Sequence, residues 1–360
     1  MRPAERTFIE SIERITNPEG RLGYLRLDKN ENLKGASKAF LKKFKNNLTA
    51  EVVSVYPEIE GIRKSVADYA GVSSGCIFLS HGSDGAIKQV FDVFAREGSS
   101  VVLLEPTYAM YEIYAKMAGC AIEWVKCNKD FVVSEKQFMA SIGKNTSVVA
   151  IANPNSPTGS EFSVDFLLQV LNKCRKIGVL LLIDEAYFPF SKKTIIGHVP
   201  KEENLIVTRT FSKAFALGGC RAGFMAVSPN LIESVKKGRP MYEINALSAL
   251  AIKTCLQDTE EMKKYVRQVS EGRDYLVGQC KKLGLVPYPT NTNFMNILLP
   301  GKLDAEMLQK FGRARRILFK GSRGLGYFNN CVRITLGPKK YMARFVKLLR
   351  KFIDDSCHNG

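Results

Sequence analysis

Lys213 stands in RTFSKAFALGGCRAGF (209–224), where a β-prone run, NLIVTRT (204–210), gives way to a mostly apolar stretch. An amine partly withdrawn from water and close to a second cation, here Arg221, becomes a nucleophile and can form a Schiff base with an aldehyde. Taken alone, a lysine after a strand is ordinarily a surface ammonium, so its company decides the reading. Asp184 closes the apolar run VLLLID (179–184). A carboxylate there needs a cationic partner, either a protonated ring nitrogen or a lysine, unless it is only a helix cap. Tyr187 can reach the same ligand through its hydroxyl, and Tyr108, in PTY, has a ring to lay on a planar ligand or to pack in the interior. In HGSDG (81–85), Ser83, Asp84 and Gly85 open a helical pattern. The free N–H groups of such a start attract an anion such as phosphate, unless Ser83 or Asp84 merely caps the helix. NPNSPTG (153–159) is a turn by composition that displays amides and hydroxyls rigidly. Together these parts suit an aldehyde cofactor with a phosphate tail, a phenolate and a pyridine ring. No GxGxxG follows a strand and no GxxxxGK[ST] occurs, so a dinucleotide or triphosphate cradle is not indicated.

These residues need elements to bring them together. CIFLS (76–80), SVVLLE (100–105), SVVAIA (147–152), VLLLID, NLIVTRT and AGFMAV (222–227) read as strands. Helical periods lie between several of them, as in SDGAIKQVFDVFARE (83–97) and VDFLLQVLNKCRKIG (164–178). Such alternation predicts an α/β fold with right-handed crossovers and a mostly parallel sheet flanked by helices and buried on both faces. Ligands of such sheets bind at the carboxyl ends of the strands. HGSDG, EPTY, NPNSPTG, DEAY and FSK each follow or end a strand, so they should share one rim. The pattern changes after about residue 240: residues 246–284 read as nearly continuous helix, followed by shorter strands NFMNILL (293–299) and CVRITLG (331–337) and a closing helix. The expected division is a large domain over 46–245 and a smaller α+β domain from 1–45 and 246–360.

The chain has 360 residues, 45% of them apolar, which suits a large domain joined to a smaller one. Its longest apolar run, IGVLLLI (177–183), is too short to cross a bilayer, and the first residues lack the apolar core of a secretory signal. Nine cysteines without a CxxC pair read as reduced thiols of a cytosolic protein, and three scattered histidines show no metal-ligand spacing. The formal charge of +18 raises the question of a nucleic-acid partner. The cations are spread along the chain, with a cluster only at GRARRILFKGSR (312–323), so the expectation is attraction for small anions and no specific nucleic-acid binding.

At this point the chain resembles the fold-type I pyridoxal-phosphate enzymes of the class I/II aminotransferases, most of all the histidinol-phosphate aminotransferase branch. The resemblance runs from LDKNEN (27–32) through VYPEIEGIRKSVADYAG (55–71), HGSDG, EPTYAMY, NPNSPTG, DEAYFPF and RTFSKAFALGGCRAGF to CVRITLG. It implies that Lys213 holds pyridoxal 5'-phosphate and moves a proton, that Asp184 keeps the pyridine nitrogen protonated, and that Tyr187 bonds the phenolic oxygen while Tyr108 stacks on the ring. It implies a phosphate site of Ser83, Asp84, Gly85, Thr210, Ser212 and Arg221. Tyr56 would reach the phosphate of a neighbouring subunit's cofactor, hence a homodimer with shared sites, and Arg333 would clamp a substrate carboxylate or phosphate. Three features depart from the family. Gly85 stands where the acidic residue at the end of GSDE is usual. Ser156 replaces the asparagine usual before Pro-Thr-Gly, leaving Asn155 and Ser156 as joint candidates for the phenolate contact. The stretch NPEGRLGYLRLD (17–28) lacks the family's Pro-Tyr-x-Pro-Gly. The expected activity is amino-group exchange between an amino acid and a small keto compound that carries a phosphate in one version. The alternatives are decarboxylation of a phosphorylated amino acid on the same scaffold, and a non-catalytic basic binding protein.

Overall fold

The computed structural model describes residues 8–10, 12–13, 20–321 and 329–358. Residues 17–19 of the N-terminal stretch and 322–323 of the basic cluster lie outside them. The strands in chain order are β1 (Leu25–Arg26), β2 (Ile77–His81), β3 (Ser100–Glu105), β4 (Ala121–Lys126), β5 (Thr146–Ala152) and β6 (Leu180–Asp184). They continue with β7 (Leu205–Thr210), β8 (Ala222–Val227), β9 (Val286–Pro287), β10 (Phe294–Leu298), β11 (Ile317–Leu318) and β12 (Cys331–Thr335).

Seven strands form one sheet in the order β2-β8-β7-β6-β5-β3-β4. Every neighbouring pair is parallel except the two that involve β8, which runs antiparallel to both β2 and β7. The fold is thus the expected α/β type with a mostly parallel sheet. Both faces are covered, and alternate residues sort onto them. Leu181 and Ile183 of β6 join one apolar cluster, Leu180 and Leu182 the other. This two-sided burial explains why VLLLID reads as an unbroken apolar run rather than an alternating one. Asp184 shares the parity of Leu180 and Leu182, so its side chain emerges on their face at the strand's end.

The remaining strands form two small sheets, β1 beside β11 and the order β12-β10-β9. They pack with the helices Glu260–Lys282 and Lys339–His358 around a separate apolar cluster that includes Leu25, Leu27, Leu276, Ile334 and Phe345. Two features differ from the expectation. The helical stretch after residue 245 is two helices, Ala246–Leu256 and Glu260–Lys282. Thr259 opens the second, whose N-terminal turn carries Glu260 and Glu261, a favourable charge at a helix start. Ala249, Ala251, Ile252 and Cys255 of the first pack into the large-sheet core, so this helix sits with the seven-stranded sheet. The edge strand β4 has no counterpart among the expected strands. Among the described residues, no helix is long and apolar enough to cross a membrane, and the eight described cysteines are all free thiols.

Candidate active site

Parallel strands end on one rim, and the antiparallel β8 begins there, because Ala222 pairs with His81 and Gly223 with Thr210. The reversed strand therefore delivers its preceding residue, Arg221, to the rim that receives Glu105, Asp184 and Thr210 from the other strands. A cleft of about 880 Å³ opens there. Ser83, Asp84, Tyr108, Ser156, Asp184, Tyr187, Thr210, Ser212, Lys213, Arg221 and Arg333 all line it. Three expected site residues do not. Gly85 lies one turn into the helix, where an added Cβ would meet His81 Cβ at 3.3 Å. The Asn155 amide is engaged away from the cleft, mostly with the loop after β3: Oδ1 accepts from Thr107 Oγ1 at 2.8 Å, and Nδ2 donates to Pro106 O and to Thr158 Oγ1 of its own loop at 2.9 Å each. Of the two candidates in NPNSPTG, Ser156 is thus the one that faces the cleft. Tyr56 is exposed, its ring stacked on Tyr242 at 3.8 Å between centroids.

The helix Gly82–Phe94 begins on this rim without a side-chain cap. Its N-cap is His81, and neither Ser83 nor Asp84 caps it. Asp84 Oδ1 instead accepts from Tyr108 Oη at 3.2 Å and Tyr114 Oη at 2.9 Å. The first N–H groups are left for another acceptor, which is the arrangement that attracts an anion. Gly82 turns the chain into this helix at φ +72°, and a Cβ on it would lie 3.0 Å from Arg221 Nη2, so the guanidinium lies directly over the helix start. The Arg221 Nη2 donates to His81 O at 3.5 Å, and Thr210 Oγ1 donates to Ser212 Oγ at 2.9 Å on the adjoining strand end. Open N–H groups, two hydroxyls and a guanidinium together make a cradle suited to an anion.

Asp184 is buried at the cleft floor. Its Oδ1 accepts from Thr208 Oγ1 at 3.0 Å and from Ala186 N–H at 3.2 Å, and its Oδ2 accepts from Tyr111 Oη at 3.2 Å. Burial pushes its carboxyl up to about 6, and the three donors pull only part of the way back. A cation in the cleft would complete it. Neighbouring Glu185 points elsewhere, gripped by the buried guanidinium of Arg209 at 2.7 Å, so only one of the two consecutive carboxylates serves the cleft. Tyr108 stands edge-on to Tyr111 at 5.6 Å between centroids, and burial near Asp84 and Asp184 pushes its phenol well up.

Lys213 Nζ donates to Lys29 O at 3.1 Å and lies 5.7 Å from the Tyr187 ring centroid. Arg333 on β12 is buried, with Nη2 donating to Asp28 O at 3.4 Å and Nε without a partner among the described residues. Burial presses its guanidinium below the usual range. Lys320, bonded backbone to backbone with Arg333, lines the same cleft, and burial beside Arg333 lowers its ammonium as well. Neighbouring buried cations that are not fully matched within the protein are receptive to an anion.

Sequence reasoning missed Lys320, Tyr111, Thr208 and Trp124. Lys320 looked like part of a solvated basic run. Tyr111 carries no mark that separates it from core aromatics. Thr208 matters only because the β6–β7 register sets it opposite Asp184. Trp124 reaches the cleft rim from β4.

Residues 23–349 match the family described as aminotransferase class I and II. Histidinol-phosphate aminotransferase of Thermococcus gammatolerans is 32% identical over 277 residues, covering 76% of this chain and 78% of that protein. In fold, the chain is similar to histidinol-phosphate aminotransferase from Sinorhizobium meliloti in complex with pyridoxal-5'-phosphate, at TM-score 0.85 and 22% identity over 99% of both chains. It is also similar to L-threonine-O-3-phosphate decarboxylase from Porphyromonas gingivalis, at TM-score 0.78 and 21% identity over 92% of this chain and 99% of that one. With the family's match spanning nearly the whole chain and the same strand ends supplying lysine, aspartate and arginine to one cleft, this protein belongs to the class I and II aminotransferases.

Proposed function

We propose that the protein is a pyridoxal-phosphate-dependent aminotransferase that exchanges an amino group between an amino acid and a small keto compound bearing a strong anion, phosphate in the version favoured here. The observation that carries the reading is the buried Asp184 carboxylate, incompletely matched, sharing one cleft with the Lys213 amine and the uncapped helix start. Pyridoxal phosphate supplies an aldehyde for amines and a ring that accepts the electron pair left at the substrate's Cα. Lys213 binds the cofactor and carries the proton to and from Cα. Asp184 holds the ring nitrogen in its protonated form, because a carboxylate on the dry cleft floor gains most from a cationic neighbour. Tyr187 donates to the phenolic oxygen with Ser156 beside it, and Tyr108 covers the ring. Ser83, Asp84, Thr210, Ser212 and Arg221 hold the phosphate, Arg221 supplying the charge. Arg333 and Lys320 bind the substrate's anion.

The exposed Tyr56–Tyr242 stack supports a homodimer in which Tyr56 serves the partner's cleft. The free thiols support a cytoplasmic protein. We assign cofactor binding to a part that runs from residue 46 through the helix Ala246–Leu256, and substrate closure to the residues around the small sheets.

The protein with added pyridoxal phosphate should show a visible absorbance band, and borohydride should fix the cofactor on Lys213. Amino donors should bleach that band while producing keto acids. Carbon dioxide without keto product would mean decarboxylation. A band retained in Lys213→Ala would refute the assignment.

A further inference from the structure

Asn30 combines several unusual features. It is buried, at 3% exposure, and holds a left-handed φ of +56°. Its N–H donates to Thr335 Oγ1 at 2.9 Å, and its carbonyl accepts from Asn293 Nδ2 at 2.9 Å. Its own Nδ2 donates to Tyr187 Oη at 2.9 Å, while its Oδ1 is buried without a partner among the described residues. A left-handed backbone and an unmatched buried acceptor in one residue mark a functional constraint.

The flanking residues are held by an ion cluster. Arg21 reaches Asp28 with Nε at 2.9 Å and Nη2 at 2.7 Å, and Glu31 with Nη1 at 3.2 Å and Nη2 at 3.0 Å. One guanidinium thus ties together the two residues that bracket Lys29 and Asn30. Bidentate forks of this kind fix orientation as well as distance. Nothing in the catalytic reading uses Arg21 or Asn30.

Resting on the role assigned above to Tyr187, we propose that Asn30 is a positioning residue that sets the direction of the Tyr187 hydroxyl proton, and that Arg21 holds Asn30 in place. A phenol has one proton to give. With the amide N–H filling a lone pair of Oη, the tyrosine cannot donate to Asn30, and its proton is left for an anionic oxygen in the cleft. An acceptor at the same position would draw the proton away. Lys213 and Arg333 near Tyr187 are donors only and do not compete for that proton, while the carboxylates Asp28 and Asp184, which line the same cleft, are already engaged, Asp28 by Arg21 and Asp184 by Thr208, Ala186 and Tyr111.

Asn30→Asp presents only acceptors to Tyr187, and aspartate tolerates the left-handed backbone nearly as well as asparagine. Asn30→Gly keeps the backbone and removes the amide. The readout is the pH midpoint of the visible band of bound pyridoxal phosphate, because loss of a donor to the phenolic oxygen makes that oxygen more basic. Asn30→Asp should raise the midpoint by about one unit, and Asn30→Gly by less. A new negative charge alone would also raise it, so the deciding comparison is made in Tyr187→Phe. There Asn30→Asp should shift the midpoint by less than about a third of its effect in the parent protein. Arg21→Ala should reproduce part of the rise, with Arg21→Lys closer to the parent. A full shift in the Tyr187→Phe background, equal shifts for aspartate and glycine, or no shift at all overturns the proposal. Circular dichroism and a thermal midpoint verify that each variant is folded. If the parent protein binds no pyridoxal phosphate, the functional reading fails instead, and the two failures are distinct.

Discussion

At the scale of single residues, Asp184 carries the clearest physical consequence. Its carboxyl is raised from an ordinary value near 3.8 to about 6 because it is buried. A raised carboxyl favours the folded state while it is protonated, and that contribution is lost as pH climbs through about 6. The shift corresponds to about 3 kcal/mol. In cofactor-free protein, the stability of Asp184→Asn relative to the parent should therefore improve by most of that, roughly 2 kcal/mol, between pH 4 and pH 8. Denaturant melts at the two pH values test this, and a pH-independent difference would contradict it. The same variant should lose most turnover, since an amide cannot hold a pyridine nitrogen protonated. Lys213 and Asp184 were legible in the sequence because each breaks a local rule, a lysine before an apolar turn and a charge at the end of a buried strand, and Tyr187 and Arg221 were picked out by their nearness to these two. Lys320 and Thr208 broke none. Their positions depend on which strand lies beside which, and spacing along one chain does not carry that.

Elements show the same division. The strands buried on both faces were readable as apolar runs. β4, AIEWVK, was not, because as an edge strand it buries only Val125 and keeps polar residues between the apolar ones. The reversal of β8 was also invisible, although it accounts for Arg221 standing at the cleft rim. Its closeness to the helix start has a steric condition. A Cβ on Gly223 would lie 2.5 Å from the carbonyl carbon of Gly82 and 2.7 Å from Ser83 N. Gly223→Ala must push the first turn of the helix away from the strand. Pyridoxal phosphate should then bind at least about tenfold more weakly, a loss of about 1.4 kcal/mol. An unchanged dissociation constant in an absorbance titration would count against the phosphate cradle.

For the whole molecule, the change from the strands of the large sheet to the elements around a second apolar cluster was visible in the pattern near residue 240. The seat of the helix Ala246–Leu256 was not, because an apolar helix suits either core. If two copies share their sites through Tyr56, inactive Lys213→Ala and impaired Tyr56→Ala proteins should complement when mixed. Half of the redistributed dimers would carry one intact site, restoring roughly a quarter of the parent activity. Absence of recovery after proven subunit exchange would argue for self-contained sites. One feature of the rim offers a way to follow all of this without labels. Trp124 is the only tryptophan in the chain, and it borders the cleft. Its emission should pass by energy transfer to a chromophore bound there. Fluorescence quenching would then time the arrival of cofactor and substrate on stopped-flow scales, with no second indole to blur the signal.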